Sequence, residues 1–214
     1  MEQNLNHLKV IVIGNSGVGK TSIVNRWCKN SFQETYKPTV ISDFSYKIVE
    51  HKGKQYKIQM WDICGQDRNI AMTKVFGKNS HGCIIVSEIT NENSLEIASK
   101  WKAELDKECN FLQSKDKIPT ILIQNKIDLV KNPDLNKKKI EKIVKNDGYI
   151  NYFNVSAKTG SGIDEAVFFL IKSMSDKLEE YCKTNDIEDD RASIVVQPSQ
   201  EYNQKETPQN NCPC

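Results

Sequence analysis

No stretch of this 214-residue chain is apolar for long enough to cross a bilayer. A helical span needs about 20 consecutive apolar residues, and runs such as Val10–Ile13 and Ile121–Ile123 stop well short of that. The opening segment, Met1 to His7, is polar and lacks the apolar core of a secretory leader. The chain is therefore expected to be made and folded in the cytosol. Charge of one sign is also lacking: 30 Lys and Arg against 28 Asp and Glu leave a net +2. That balance argues neither for nor against nucleic acid, and none is among the expected partners. The seven cysteines, at 28, 64, 83, 109, 182, 212 and 214, lack the spacing of a disulfide framework or a zinc site. In a reducing cytosol the first five read as small thiols packed in the body.

Glycine is missing from the last 32 residues, which hold three of the six prolines and many Asn, Gln, Ser, Asp and Glu. Ile194-Val195-Val196 is the one apolar cluster there. Such a segment buries too little surface to offset its ordering entropy. The expected organisation is a folded domain over residues 1–182 and a disordered tail over 183–214, able to extend roughly 100 Å. The length before the tail suffices for one full-sized core without a disulfide or metal staple.

What is present before Lys183 alternates between two periods. Leu8–Gly14 is a short apolar run ending in glycine. Asp43–Glu50 and Gln55–Asp62 alternate in period 2, with Tyr56, Ile58 and Met60 on one face, and His51–Lys54 reads as the hairpin turn between them. Cys83–Ile89 and Thr120–Asn125 are continuously apolar, as strands covered on both faces are. Tyr152–Val155 is a sixth, shorter run. Helical spacing appears in Ser94–Glu108 through Leu95, Ala98, Trp101 and Leu105, and in Ile163–Tyr181 through Val167, Leu170, Ile171, Met174 and Leu178. The order predicts an α/β fold: a six-stranded, mostly parallel sheet with one antiparallel edge strand and five helices on its two faces.

Between the first strand and a helix over Lys20–Cys28 lies Gly14-Asn15-Ser16-Gly17-Val18-Gly19-Lys20-Thr21, which fits G-x-x-x-x-G-K-[ST]. Glycines let backbone N–H groups curl around a phosphate, and the helix N-terminus adds partial positive charge. Lys20 is placed to contact the β- and γ-phosphates and Thr21 to offer its hydroxyl to Mg²⁺. Asn15, Ser16, Gly17, Val18, Gly19 and Ser22 complete the expected phosphate contacts. The loop names a nucleotide but no base. Two strand-end motifs name the base: Asn125-Lys126-Ile127-Asp128 and Ser156-Ala157-Lys158. The Asp128 carboxylate can accept from guanine N1–H and the 2-amino group, a donor pair adenine lacks. The Ala157 N–H suits the guanine carbonyl, and Lys126 and Lys158 suit the ring faces.

These motifs together resemble the Ras superfamily of small GTPases over about residues 8–182. Trp61-Asp62-Ile63-Cys64-Gly65-Gln66-Asp67-Arg68 is similar to the W-D-T-A-G-Q-E-R of its Rab family. The resemblance implies the P-loop GTPase fold and slow, Mg²⁺-dependent hydrolysis of GTP to GDP. It gives Asp62 a water-mediated Mg²⁺ contact, the Gly65 N–H a γ-phosphate contact and Gln66 the attacking water. Phe32 becomes the base-site aromatic and Thr39 the first-switch Mg²⁺ ligand. Phe44, Trp61 and Phe76 become the aromatic trio that effectors read. An exchange factor, an activating protein, effectors, a prenylation escort and a GDP-dissociation inhibitor are the implied partners of a monomeric core. Ile63 and Trp101–Asp106 resemble the branch serving lysosome-related organelles. Departures cluster where partners bind: Ile41, Ser42, Cys64, Asp67, Asn69 and Phe76-Gly77 differ from the family pattern.

The terminal Cys212-Pro213-Cys214 leaves no a-a-X after a cysteine, so the CaaX route is closed. Resemblance to Rab proteins ending C-x-C implies geranylgeranyl groups on Cys212 and Cys214, holding the protein on the cytoplasmic face of an intracellular membrane. Lys183, Arg191 and Lys205 stand against six acidic residues in the tail, so a basic assist to the lipids is lacking. The alternatives are a GTP-binding adaptor with negligible hydrolysis, and an ATP-dependent small-molecule kinase, which conflicts with Asp128.

Overall fold

The computed structural model describes residues 5–35, 38–39, 42–65, 72–134 and 136–186. Six strands form one sheet: β1 (Asn6–Gly14), β2 (Ser42–His51), β3 (Lys54–Ile63), β4 (Gly82–Glu88), β5 (Thr120–Asn125) and β6 (Asn151–Asn154). Their order is β2-β3-β1-β4-β5-β6. All neighbours are parallel except the β2–β3 hairpin, whose register sets Phe44 opposite Trp61 and His51 opposite Lys54. The antiparallel strand thus lies at the edge, as the period-2 pattern of Asp43–Glu50 implies.

Among the described residues four α-helices lie between strands and a fifth follows β6: α1 (Lys20–Lys29), α2 (Met72–Gly77), α3 (Asn93–Glu108), α4 (Lys137–Asp147) and α5 (Ile163–Asn185). Alternate residues of one strand feed opposite cores, because strand side chains alternate faces. Val10 and Val12 join Trp27 of α1 and Leu170, Ile171 and Met174 of α5. Ile11 and Ile13 join Leu95, Trp101 and Leu105 of α3 and Ile140 of α4. Full burial of each such side chain contributes about 1.5–3 kcal/mol. Helices on both faces explain why β4 and β5 read as continuous apolar runs.

Helix α5 continues through Lys183, Thr184 and Asn185, into the segment that composition assigns to the tail. The Asp186 N–H still donates to Cys182 O, and two side chains bond back one turn, Thr184 Oγ1 to Glu180 O at 2.8 Å and Asn185 Nδ2 to Tyr181 O at 2.8 Å. Residues 187–214, with Cys212 and Cys214, lie outside the described residues. Among the described residues no helix is long and apolar enough to cross a membrane.

One departure from the family pattern has a packing cause. A Cβ on Gly77 would lie 2.5 Å from Cys109 Sγ. That thiol, buried at the end of α3, donates to Thr73 O of α2 at 3.5 Å. Helix α2 therefore sits on α3 at a distance that a larger residue at 77 would not permit.

Candidate functional site

The C-terminal ends of β1, β4 and β5 meet the loops that follow them on one side of the sheet, where open α/β sheets place their ligand crevices. A cleft of about 440 Å³ opens there. Its walls bring together Ser16, Gly17, Gly19, Lys20, Thr21, Ser22, Phe32, Thr39, Gly65, Asn125, Lys126, Asp128, Ala157 and Lys158. These positions span the chain from 16 to 158, yet they share one space.

At the cleft floor the phosphate loop wraps the Lys20 ammonium. Lys20 is 6 % exposed and donates to Gly14 O at 3.0 Å and Asn15 O at 2.8 Å. Burial pulls its pKa down to about 8, against the opposing pull of Asp62 and Cys64. The loop thus carries a desolvated cation that a bound anion would stabilise. Gly65, at the end of the segment after β3, lies flush against this loop: a Cβ there would stand 2.3 Å from Lys20 Nζ and 2.5 Å from Asn15 O. Only glycine fits. Cys64 lines the cleft beside it and is itself buried.

Three oxygens converge next to Lys20. Thr21 Oγ1 and Thr39 Oγ1 are 3.0 Å apart. Both hydroxyls reach Asp62 Oδ2, at 2.5 Å from Thr21 and 3.2 Å from Thr39. Asp62 is 1 % exposed, and its Oδ1 is buried with no hydrogen-bond partner among the described residues. Burial raises its pKa, opposed by the Thr21 bond, the Lys20 charge and the Thr39 bond. A buried carboxylate with an unused oxygen next to two hydroxyls suits a hard cation. Mg²⁺ is such a cation, favouring carboxylate and hydroxyl oxygens. The convergence of these oxygens and the unpartnered Asp62 Oδ1 make Thr21, Thr39 and Asp62 the residues that would hold it.

At the far end, Asp128 is exposed and its Oδ1 accepts from Ser156 Oγ at 2.5 Å. Asn125 is 1 % exposed and spends its amide inside the protein. Its Nδ2 donates to Val18 O at 2.9 Å, and its Oδ1 accepts from the Ala157 N–H at 3.0 Å. Asn125 is thus a tie between the phosphate loop and the Ser156-Ala157-Lys158 turn, and the Ala157 N–H already has a partner. Lys126 pairs with Glu88, and Lys158 pairs with Glu34 at 3.1 Å across the mouth. Asn15, Val18 and Ser156 stand behind the wall: Asn15 Oδ1 accepts from the Ser16 N–H at 2.8 Å, Val18 is in the core and Ser156 is fully buried. Gln66 lies outside the described residues, as do Ile41, Asp67 and Asn69.

Sequence reasoning missed Arg26. From α1 it donates through Nε to Ala157 O at 3.0 Å and through Nη2 to Lys158 O at 2.7 Å. No spacing rule links positions 131 residues apart.

Away from the cleft, Phe44, Trp61 and Phe76 form a continuous aromatic chain. Phe44 meets Trp61 edge-on with centroids 5.3 Å apart, and Trp61 meets Phe76 at 6.3 Å. Tyr46 extends the chain at 6.3 Å from Phe44, and the Lys9 ammonium sits 4.9 Å over Trp61. Phe44 is 43 % exposed and Tyr46 52 %.

A family model described as the Ras family matches residues 9–176. The chain is 38 % identical to the Ras-related protein Rab-32C of Dictyostelium discoideum over 81 % of this chain and 75 % of that protein. It is 34 % identical to the Ras-related protein Rab-32 of Mus musculus, over 89 % of this chain and 85 % of the relative. Similarity to the Ras-related protein Rab-7L1 of Rattus norvegicus is 31 %, over 89 % and 93 % of the two chains.

Proposed function

Since the chain belongs to the Ras family of small GTPases and to its Rab branch, enzymes that act on GTP, we propose that it is a nucleotide-timed switch in membrane trafficking. The observation that carries this reading is the meeting of Thr21, Thr39 and Asp62. Thr39 comes from the segment between α1 and β2, outside the phosphate loop. A hydroxyl delivered from there makes that segment's position depend on what the cleft holds.

In this reading Lys20 holds the β- and γ-phosphates, and Thr21, Thr39 and Asp62 hold Mg²⁺, which supplies charge neutralisation between the phosphates when bound. Phe32, Asp128, Ala157, Lys126 and Lys158 surround guanine. Gln66 orients the water that attacks the γ-phosphate, and the Gly65 N–H contacts that phosphate. No arginine among the described residues lines the cleft, so an activating protein that inserts one would accelerate hydrolysis by ~10³–10⁵-fold. After hydrolysis Thr39 and Gly65 lose their γ-phosphate-dependent contacts, and the segments carrying them relax. An exchange factor then resets the switch.

Phe44, Trp61 and Phe76 are the effector surface in this scheme, on a folded domain that ends with α5 and with the residues that follow α5 as its tether. Geranylgeranyl groups on Cys212 and Cys214, added with an escort and shielded by a GDP-dissociation inhibitor, hold the protein on the cytoplasmic face of an intracellular membrane. The similarity to Rab-32 proteins supports a place in the lysosome-related branch. One lipid chain binds reversibly and two bind stably. A cell-fractionation experiment is therefore expected to find Cys212→Ser and Cys214→Ser each partly released, and the double variant fully cytosolic. Undiminished membrane binding of the double variant would remove lipidation from the scheme.

Single-turnover hydrolysis of preloaded GTP tests the switch itself. The wild type is expected to turn over slowly, and Gln66→Leu about 10²-fold more slowly still, the scale of losing one preorganised transition-state contact. No turnover by either protein would favour the adaptor instead.

A further inference from the structure

We infer that Arg26 is a positioning residue that locks the base end of the cleft to the entrance of the first switch and thereby sets how long the nucleotide stays bound. The inference rests on the guanine reading of the cleft and adds a residue to it. Helix α1 begins at Lys20, on the phosphate loop, and Arg26 lies six residues on, about 9 Å along the axis at 1.5 Å per residue. One rigid helix therefore carries both the phosphate anchor and Arg26.

Arginine presents a planar fork of donors, and here the fork is divided between two elements. Nε and Nη2 take the carbonyls of Ala157 and Lys158, at 3.0 and 2.7 Å. Nη1 reaches Asn30 O and Asn30 Oδ1, both at 3.3 Å. Asn30 is the left-handed cap that ends α1, with φ 49°, and it directs the chain toward Phe32. The guanidinium carbon also lies 6.0 Å from the centre of the Phe32 ring. Phe32, Ala157 and Lys158 all line the cleft.

The Ser156-Ala157-Lys158 turn is therefore gripped from two sides. Asn125 takes its Ala157 N–H, and Arg26 takes the next two carbonyls. Asn125 ties the turn to the phosphate loop, and Arg26 ties it to the segment carrying Phe32. The Lys158–Glu34 pair, at 3.1 Å, adds an exposed link between the same two segments. Opening the Phe32 side and loosening the base turn are thus one motion, and Arg26 resists both. Among the described residues its hydrogen bonds go to Ala157, Lys158 and Asn30 and none to Thr21, Thr39, Asp62 or Gly65, so removing its donors leaves the contacts at the phosphate end in place.

The experiment compares release of a fluorescent GDP analogue with single-turnover hydrolysis in the full chain. Arg26→Met keeps the stem and removes every donor. Arg26→Lys keeps the charge but cannot span two carbonyls and Asn30 together. Release is expected to quicken about tenfold in Arg26→Met and by an intermediate factor in Arg26→Lys, with hydrolysis of GTP already bound changing less than about twofold. Melting curves of both variants report folding. Release at the wild-type rate in both variants, or release and hydrolysis altered in equal proportion, would overturn the inference while leaving the guanine reading intact. Failure of the wild type to retain the GDP analogue would overturn both.

Discussion

Asp128→Asn is expected to lower the affinity for GDP and GTP by ~10⁴-fold, because a site built to pair a ligand's hydrogen-bonding groups rejects a ligand that mismatches them by about that factor. Asp128 stands just after β5, where its Oδ1 is already fixed by the Ser156 hydroxyl. That bond orients the carboxylate, so its remaining acceptor capacity faces a single direction. A carboxylate meets guanine N1–H and the 2-amino group with two acceptors. The asparagine amide would keep one acceptor and set N–H against the amino group. Xanthine carries a carbonyl at that position, so the variant is expected to gain affinity for xanthine nucleotides as it loses guanine. Titration with labelled GDP and xanthosine diphosphate measures both arms. A variant that binds GDP within threefold of the wild type would remove Asp128 from the base site.

Lys20→Met is expected to lower nucleotide affinity by ~10²–10³-fold, the range for truncating one member of a buried, hydrogen-bonded charge pair. The effect on the nucleotide-free protein has the opposite tendency. Burial lowers the Lys20 pKa from 10.5 to about 8, which corresponds to a cost of ~3 kcal/mol for keeping the group charged. The folded-state value lies below the unfolded one, so this cost is fully present below about pH 8 and fades as the pH rises to 10.5. Methionine removes the cost but leaves Gly14 O and Asn15 O without their donor. The melting temperature without nucleotide is therefore expected to change little, while the rise on adding GDP and Mg²⁺ collapses. The stability of the wild type without nucleotide, relative to Lys20→Met, should rise between pH 8 and 10.5, because the other groups that titrate there, Lys9 among them, are common to both proteins. A variant that loses stability without nucleotide, and keeps its rise with GDP, would make Lys20 a structural residue.

Much of this architecture was legible because its signals are local. An apolar run, a glycine-bounded loop and a helix starting at lysine specify β1, the phosphate loop and α1 within about twenty residues. The motifs at Asn125–Asp128 and Ser156–Lys158 stand at strand ends, and the parallel order brings those ends together. What stayed hidden depends on contacts across the chain. Asn125 read as a nucleotide contact, yet its amide is consumed by Val18 and Ala157. The role of Arg26 needs the backbone positions of Ala157 and Lys158, which no periodicity supplies. Gly77 reads in the sequence as one of the departures at the partner-facing surface, whereas in the fold it makes room for Cys109 beneath it. The end of α5 was set too early because Lys183-Thr184-Asn185 is polar, whereas a helix already nucleated continues through polar residues at little cost.

That the cleft is a guanine-nucleotide site, and not a general phosphate site, is tested most directly by displacing labelled GDP from the wild-type chain with Mg²⁺ present, using unlabelled GDP or ADP as competitor. The geometry around Asp128 predicts displacement by GDP at a concentration ~10⁴-fold below that of ADP. Equal displacement by the two would contradict it.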